Sequence, residues 1–356
     1  MANTLRVKEA VAGSGLDGLL LMDDRDIMYA TGFLPMDSAA LVTKDAAFLV
    51  TDSRYIEAAQ SGVAEGVEVV LTTRERPIAA ILRELADRLG LEKLGAEEEK
   101  LSHATYQRLE KALGRELLPA QELLVALRSC KTQEELDTLI RAQRIAEKAL
   151  EEVLPFVKPG AVEREIAAEI TYRMRLHGAE GNSFDPIVVT GAKSSMPHGV
   201  PGDERIKAGD FVTMDFGCVK DGYCSDMTRT VAVGYATEEM KSVYYTVLEA
   251  QKAGIAKARP GVTGAEIHNT AAKVIADAGY GEYFGHGFGH GLGLDIHEQP
   301  TASPLNTKPM PEGAVISAEP GIYLPGKFGV RIEDVLYLTG DGCVDITKAP
   351  KELLIL

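Results

Sequence analysis

Phe211-Val-Thr-Met-Asp215-Phe-Gly-Cys-Val-Lys-Asp-Gly-Tyr-Cys-Ser-Asp226-Met-Thr-Arg-Thr-Val231 reads as two apolar strands around an Asp-Gly turn. The midpoint between Asp215 and Asp226 falls in that turn. The two carboxylates are therefore expected to face each other across a hairpin, where opposite Cβ atoms sit ~5 Å apart. A second segment repeats the arrangement: Val315-Ile-Ser-Ala-Glu319-Pro-Gly leads through Pro325-Gly-Lys-Phe-Gly329 to Val330-Arg331-Ile-Glu333-Asp-Val-Leu336. Here the midpoint of Glu319 and Glu333 is residue 326, again inside the turn. Facing carboxylates on apolar strands repel one another and resist desolvation, so a compensating charge is required. A pair of divalent cations, with His290 as a further ligand, meets that need. Ordinary solvated acidic strand faces would account for one such pair but not for two matched ones.

The segments upstream of these hairpins also repeat. Pro159-Gly160 opens a helix containing Glu165-Ile166 that ends near Gly178, and Pro260-Gly261 opens one containing Glu266-Ile267 that ends near Gly279, a constant offset of 101 residues. Gly209-Asp-Phe-Val-Thr-Met-Asp215 then matches Gly313-Ala-Val-Ile-Ser-Ala-Glu319 at an offset of 104. A duplicated helix-then-hairpin unit places the two acidic pairs around a pseudo-twofold axis.

Further toward the N-terminus, Thr132 and Glu135 form a capping box at the start of an apolar-periodic helix, which puts a domain boundary near residues 125–132. Ahead of it, short apolar strands (18–22, 39–42, 46–51, 67–71, 93–96) alternate with helical stretches (55–60, 78–89), the pattern of an α/β domain. The expected division is 1–128 and 129–356. The chain starts with a charged, amphipathic helix rather than a secretory signal, and its apolar runs there are far too short to span a bilayer. A net charge of −15 disfavours nucleic acid and anionic membrane as partners. The four cysteines form no C-x-x-C pair, which argues against a thiolate zinc or redox site and for a reducing, cytoplasmic compartment.

Between the two hairpins lies Gly285-His286-Gly-Phe-Gly-His290-Gly-Leu-Gly-Leu-Asp-Ile-His297-Glu. No nucleotide-loop register fits these glycines, which are read as permitting close approach of backbone to metal and substrate. Together with Pro197-His198-Gly, Met214-Asp215-Phe-Gly, Ser225-Asp226-Met-Thr-Arg-Thr, Ala318-Glu319-Pro-Gly-Ile-Tyr and Val330-Arg331-Ile-Glu333-Asp, this segment resembles the M24 metallopeptidases. Tyr29-Ala-Thr-Gly-Phe33 and Thr51-Asp-Ser-Arg-Tyr55 more weakly resemble the N-terminal domain of the Xaa-Pro aminopeptidases and Xaa-Pro dipeptidases (prolidases) of that family.

The resemblance implies an α/β creatinase-like N-terminal domain followed by an α+β pita-bread catalytic domain. It implies two divalent metal ions, with Asp215 on one, His290 and Glu319 on the other, and Asp226 and Glu333 bridging both. Water held between the metals would be the nucleophile, Glu319 its proton acceptor, and His198 and His297 would stabilise the tetrahedral intermediate and help protonate the leaving amine. His286 would line the substrate site. Thr228 and Arg331 each lie two positions from a bridging carboxylate, and Arg331 is expected to hold Glu333. The oxygen-rich ligand set suits Mn²⁺ best, with Co²⁺ or Zn²⁺ as alternatives. Asp26 matches a position that in some Xaa-Pro aminopeptidases crosses to the neighbouring subunit's site, which suggests a substrate contact in trans within a homodimer. On this clue the first expectation is an Xaa-Pro aminopeptidase acting on short proline-containing peptides, the alternative an Xaa-Pro dipeptidase. A broader or Met-specific aminopeptidase and a non-enzymatic binding module on the same fold rank below these, because the ligand set is intact.

Overall fold

The computed structural model describes residues 3–356, and the chain divides into two compact units, Met1–Arg128 and Ser129–Leu356. The expected N-terminal helix is α1 (Thr4–Ser14); Met1 and Ala2 lie outside the described residues. The first unit is built on a six-stranded mixed sheet, ordered β4-β3-β2-β1-β5-β6, from β1 (Gly18–Leu21), β2 (Ala39–Thr43), β3 (Ala47–Thr51), β4 (Val67–Leu71), β5 (Leu94–Ala96) and β6 (Leu117–Pro119). Strands β1, β2 and β3 are buried along their whole length, consistent with their unbroken apolar runs. The flanking helices are α2 (Asp24–Thr31), α3 (Ile56–Gly62), α4 (Ile78–Leu89), α5 (His103–Leu113) and α6 (Gln121–Ser129).

Asp26 departs from its expected role. It belongs to the first turn of α2, whose N-cap Asp23 accepts from the amides of Arg25 and Asp26. Its side chain is fully buried, with Oδ1 2.8 Å from Arg128 Nη1. A carboxylate committed inward in this way offers no oxygen at the surface for the expected contact in trans. Its buried neighbour Glu97 accepts from the amides of Met22 and Asp23 at 2.7 and 3.1 Å. Burial and the adjacent Asp26 carboxylate push the Glu97 pKa up to about 9 from an ordinary 4.5. The folded state therefore holds a proton that the unfolded chain releases above pH 4.5. This contribution is complete below about pH 4.5 and declines as pH rises toward 9. Glu97→Gln mimics the protonated acid, so its stability relative to the parent should increase between pH 5 and 8, as urea unfolding at several pH values will show.

The second unit contains two similar halves. The first has α7 (Gln133–Val153) and α8 (Glu163–Leu176), then β7 (Gly181–Asn182), β8 (Ile187–Thr190), β9 (Phe211–Phe216), β10 (Cys218–Lys220), β11 (Tyr223–Cys224) and β12 (Met227–Ala232). The second has α9 (Glu238–Lys257) and α10 (Gly264–Asp277), then β13 (Gly289–Gly291), β14 (Glu298–Ala302), β15 (Val315–Ala318), β16 (Gly321–Leu324), β17 (Phe328–Arg331), β18 (Asp334–Thr339) and β19 (Gly342–Asp345). The sheet β12-β9-β8 answers to the central part of β14-β13-β15-β18-β19. The repeat extends to individual bonds: Gly160 N donates to Ile206 O at 2.8 Å, and Gly261 N to Met310 O at 2.9 Å. α7 starts with the expected capping box, and α10 has one of its own through Thr263 and Glu266. Two apolar cores result, one joining Ile166 and Ile170 to Met214 and Phe216, the other joining Ile267 and Ile275 to Ile316 and taking in Phe211 and Ala232 from the first half. Each such side chain contributes roughly 1.5–3 kcal/mol on full burial.

The two hairpins differ in register. Around Gly326, Leu324 pairs with Phe328 and Gly321 with Arg331, and Ala318 pairs with Asp334 in the next ladder, so Glu319 stands opposite Glu333 as expected. In the first hairpin, Lys220 pairs with Tyr223 across Asp221 and Gly222, both at positive φ (48° and 79°). Asp215 consequently pairs with Thr228, and Asp226 lies diagonal to it rather than opposite. Opposite Asp226 is Gly217, where a Cβ would lie 1.8 Å from Ser225 O, so only glycine lets the strands close here.

Candidate metal and active site

β9 carries Asp215 and the turn into β12 carries Asp226, while His290 is the middle residue of β13. Glu319 directly follows β15, and Glu333 directly precedes β18. The backbone of these last two is fixed from behind by Gln251 of α9, whose Nε2 donates to Ala318 O at 3.0 Å and Ile332 O at 3.2 Å. Gly289 is the other enabling glycine: its Cβ would meet Ser317 O at 1.9 Å. Its small size serves packing of strand on strand, whereas approach to metal or substrate had been expected.

Asp226, His290 and Glu333 each bring a ligand atom within 4.8 Å of the others. His290 donates from Nδ1 to Gly291 O, which leaves Nε2 facing Glu319 Oε1 at 3.2 Å and Asp226 Oδ2 at 3.6 Å. Glu319 Oε1 also accepts from Ser317 Oγ at 3.0 Å. Thr228 Oγ1 donates to Glu333 Oε2 at 2.6 Å and accepts from Arg331 Nε at 3.1 Å. Arg331 does not hold Glu333. Its Nη2 lies 2.6 Å from Asp215 Oδ2, because the chain leaves β17 at Arg331 and the alternation that would align it with Glu333 stops there.

Burial opposes the charged form of every acid in this cluster. For Asp226 and Glu333 burial and the neighbouring carboxylates together push the pKa well above its ordinary value. For Glu319 burial is outweighed by the hydrogen bond and charge of His290, and its pKa falls to about 2. Burial likewise works against His290, but Glu319 and Asp226 raise it to about 9. Asp215 Oδ1 is buried without a hydrogen-bond partner. An orphaned carboxylate oxygen beside two strained acids and an imidazole nitrogen is a donor set suited to hard divalent cations.

The five residues line a cleft of about 550 Å³ in the second unit, together with His198, His286, His297 and Arg331. His198 and His297 are exposed on its wall, and the His297 ring stands 4.3 Å from that of His290. Sequence reasoning gave Tyr323 no role, although it ends the quoted Glu319-Pro-Gly-Ile-Tyr motif. Tyr323 Oη accepts from Arg331 Nη1 at 2.8 Å, so its own proton is directed to His286 Nε2 at 2.9 Å. His286 is thereby fixed as the Nδ1–H tautomer, donating to Gly287 O at 2.9 Å. Both ring nitrogens are occupied, so His286 lines the cleft with neither nitrogen free.

Residues 137–340 match metallopeptidase family M24, and residues 4–130 match the creatinase/prolidase N-terminal domain. The chain belongs to the M24 metallopeptidases. An Xaa-Pro dipeptidase structure from Bacillus anthracis is 41% identical to this M24 peptidase, has a TM-score of 0.93 and covers 99% of this chain and 98% of its own. An X-Pro aminopeptidase from Thermotoga maritima MSB8 is 35% identical with a TM-score of 0.92, covering 98% and 100%. The Xaa-Pro dipeptidase of Pyrococcus horikoshii is 34% identical over 351 residues, 98% of this chain and 97% of the relative. The M24 peptidase accordingly has the creatinase-like domain followed by the pita-bread catalytic domain. Among its described residues no helix is long and apolar enough to cross a membrane.

Proposed function

We propose that this M24 peptidase is an Xaa-Pro dipeptidase, hydrolysing the bond before proline in dipeptides. The observation that carries the reading is the cleft itself, which gathers two carboxylate pairs, an imidazole and two exposed histidines around a volume suited to a short peptide. Relatives matching along the whole chain and described as Xaa-Pro dipeptidases favour this over the aminopeptidase. The clue that ranked the aminopeptidase first was Asp26, and Asp26 is buried against Arg128.

In this reading Asp215, Asp226, His290, Glu319 and Glu333 would hold the divalent cations, with Mn²⁺ preferred by the hard donor set. When bound, the cations polarise the scissile carbonyl and acidify water. The protein's own groups carry the protons. Glu319 accepts the proton of the attacking water. His198 and His297 donate hydrogen bonds to the developing oxyanion and deliver a proton to the departing prolyl nitrogen. Arg331 orients Asp215 and opposes the burial that disfavours its charge, and Thr228 orients Glu333. The enzyme would act as a cytoplasmic homodimer on short proline-containing peptides.

The test is hydrolysis of Gly-Pro, Gly-Pro-Ala and Met-Ala-Ser by the Mn²⁺-loaded protein, with products separated chromatographically. Rapid cleavage of Gly-Pro is expected, with little turnover of the tripeptides. Release of Gly and Pro-Ala from Gly-Pro-Ala with Gly-Pro left intact would make the protein an aminopeptidase instead.

A further inference from the structure

Glu163 is a charged residue at the start of α8 with no solvent exposure, and the chemistry described so far does not use it. Its Oε1 accepts from Thr190 N at 2.7 Å. Its Oε2 accepts from Lys193 Nζ at 2.7 Å and Gly202 N at 2.9 Å. One carboxylate thus ties together both ends of the segment 190–202, whose middle carries His198. That middle is anchored separately to the metal-site strands: Ser194 Oγ accepts from Gly329 N at 2.8 Å, and Pro197 O accepts from Arg331 Nη1 at 3.3 Å. The other half of the repeat does without such a group. There the equivalent position is Gly264, and a Cβ would lie 2.2 Å from Thr301 O, so the backbones meet directly. Glu163 therefore belongs to the half that presents His198, and the pseudo-twofold scaffold does not demand it.

We propose that Glu163 is a positioning residue, acting through the 190–202 segment to hold His198 at the cleft; the inference rests on the proposed role of His198 in the reaction. Replacing a buried carboxylate by an amide puts a donor against a donor at one of the two backbone sites and removes the Lys193 ion pair. In the Mn²⁺-loaded full-length protein, Glu163→Gln should lower kcat for Gly-Pro about 10–100-fold, the scale of an outer partner that orients a reacting group, with KM changed less than about twofold. In a His198→Ala background the same substitution should have almost no further effect on kcat. Amide exchange at Thr190 and Gly202 should accelerate in Glu163→Gln. Should that variant not fold, Lys193→Met, which leaves both backbone bonds intact, should give a smaller fall in kcat that also vanishes in His198→Ala. Wild-type kcat in the folded variant would overturn the proposal, as would an equal fall with and without His198. Wild-type turnover by His198→Ala alone would instead remove the role given to His198, while the exchange at Thr190 and Gly202 would still report whether Glu163 fastens the segment.

Discussion

Glu319→Gln is expected to fold normally, bind metal more weakly and lose turnover by roughly 10²–10⁴-fold, the range associated with removal of a general base. The glutamine keeps an oxygen at the position that Ser317 Oγ approaches at 3.0 Å, so the local backbone has no reason to move. What it loses is basicity. A carboxylate can take a proton from water, and an amide cannot. Single-turnover kinetics with Gly-Pro separate the chemical step from binding. Near-wild-type rates at saturating Mn²⁺ would place the proton acceptor elsewhere.

Asp226→Asn should change function and metal-free stability in opposite directions. Asp226 is 4% exposed, and its charged form is opposed by burial and by Asp215 and Glu319, with relief from His290. An amide needs neither the opposed charge nor the proton that would cancel it, so the chelator-treated variant should melt higher than the chelator-treated parent. The same change deletes a proposed ligand, and activity should fall by about 10³-fold, comparable with loss of a preorganised electrostatic group. The rise in Tm on adding Mn²⁺ should shrink, since that increment tracks the ratio of free metal to Kd. Scanning calorimetry with and without Mn²⁺ reads both effects. A variant less stable than the parent in chelator would show that the carboxylate is structurally required even without metal.

The four carboxylates that meet in the cleft were legible because their spacing repeats, His290 because it stands in the glycine-rich segment between the two hairpins, and the hairpin around Gly326 was legible to the residue. The first hairpin departs from its expected register by two residues, because the turn and not the midpoint of the two aspartates sets its centre. Asp221-Gly222 occupies both central turn positions, which alone sets Lys220 against Tyr223 and Asp215 against Thr228. The helix around Asp26 carries its own signals in Asp23 as N-cap, acids in the first turn and Gly32 beyond the last. Other features had no local signature. The choice of Asp215 by Arg331 and the tautomer of His286 both depend on Tyr323 and on strands brought together only by the fold.

The ladder that sets Glu319 opposite Glu333 also predicts which changes of length the protein tolerates. Pro325, Gly326 and Lys327 are exposed at its tip, whereas residues 321–324 and 328–331 are buried on either side. Extra residues at the tip would enlarge a solvent loop and leave the carboxylates in place. One residue inserted into a single arm would turn every side chain beyond it to the opposite face and take one glutamate out of the cleft. Related chains should therefore vary in length at this turn and keep the two arms matched.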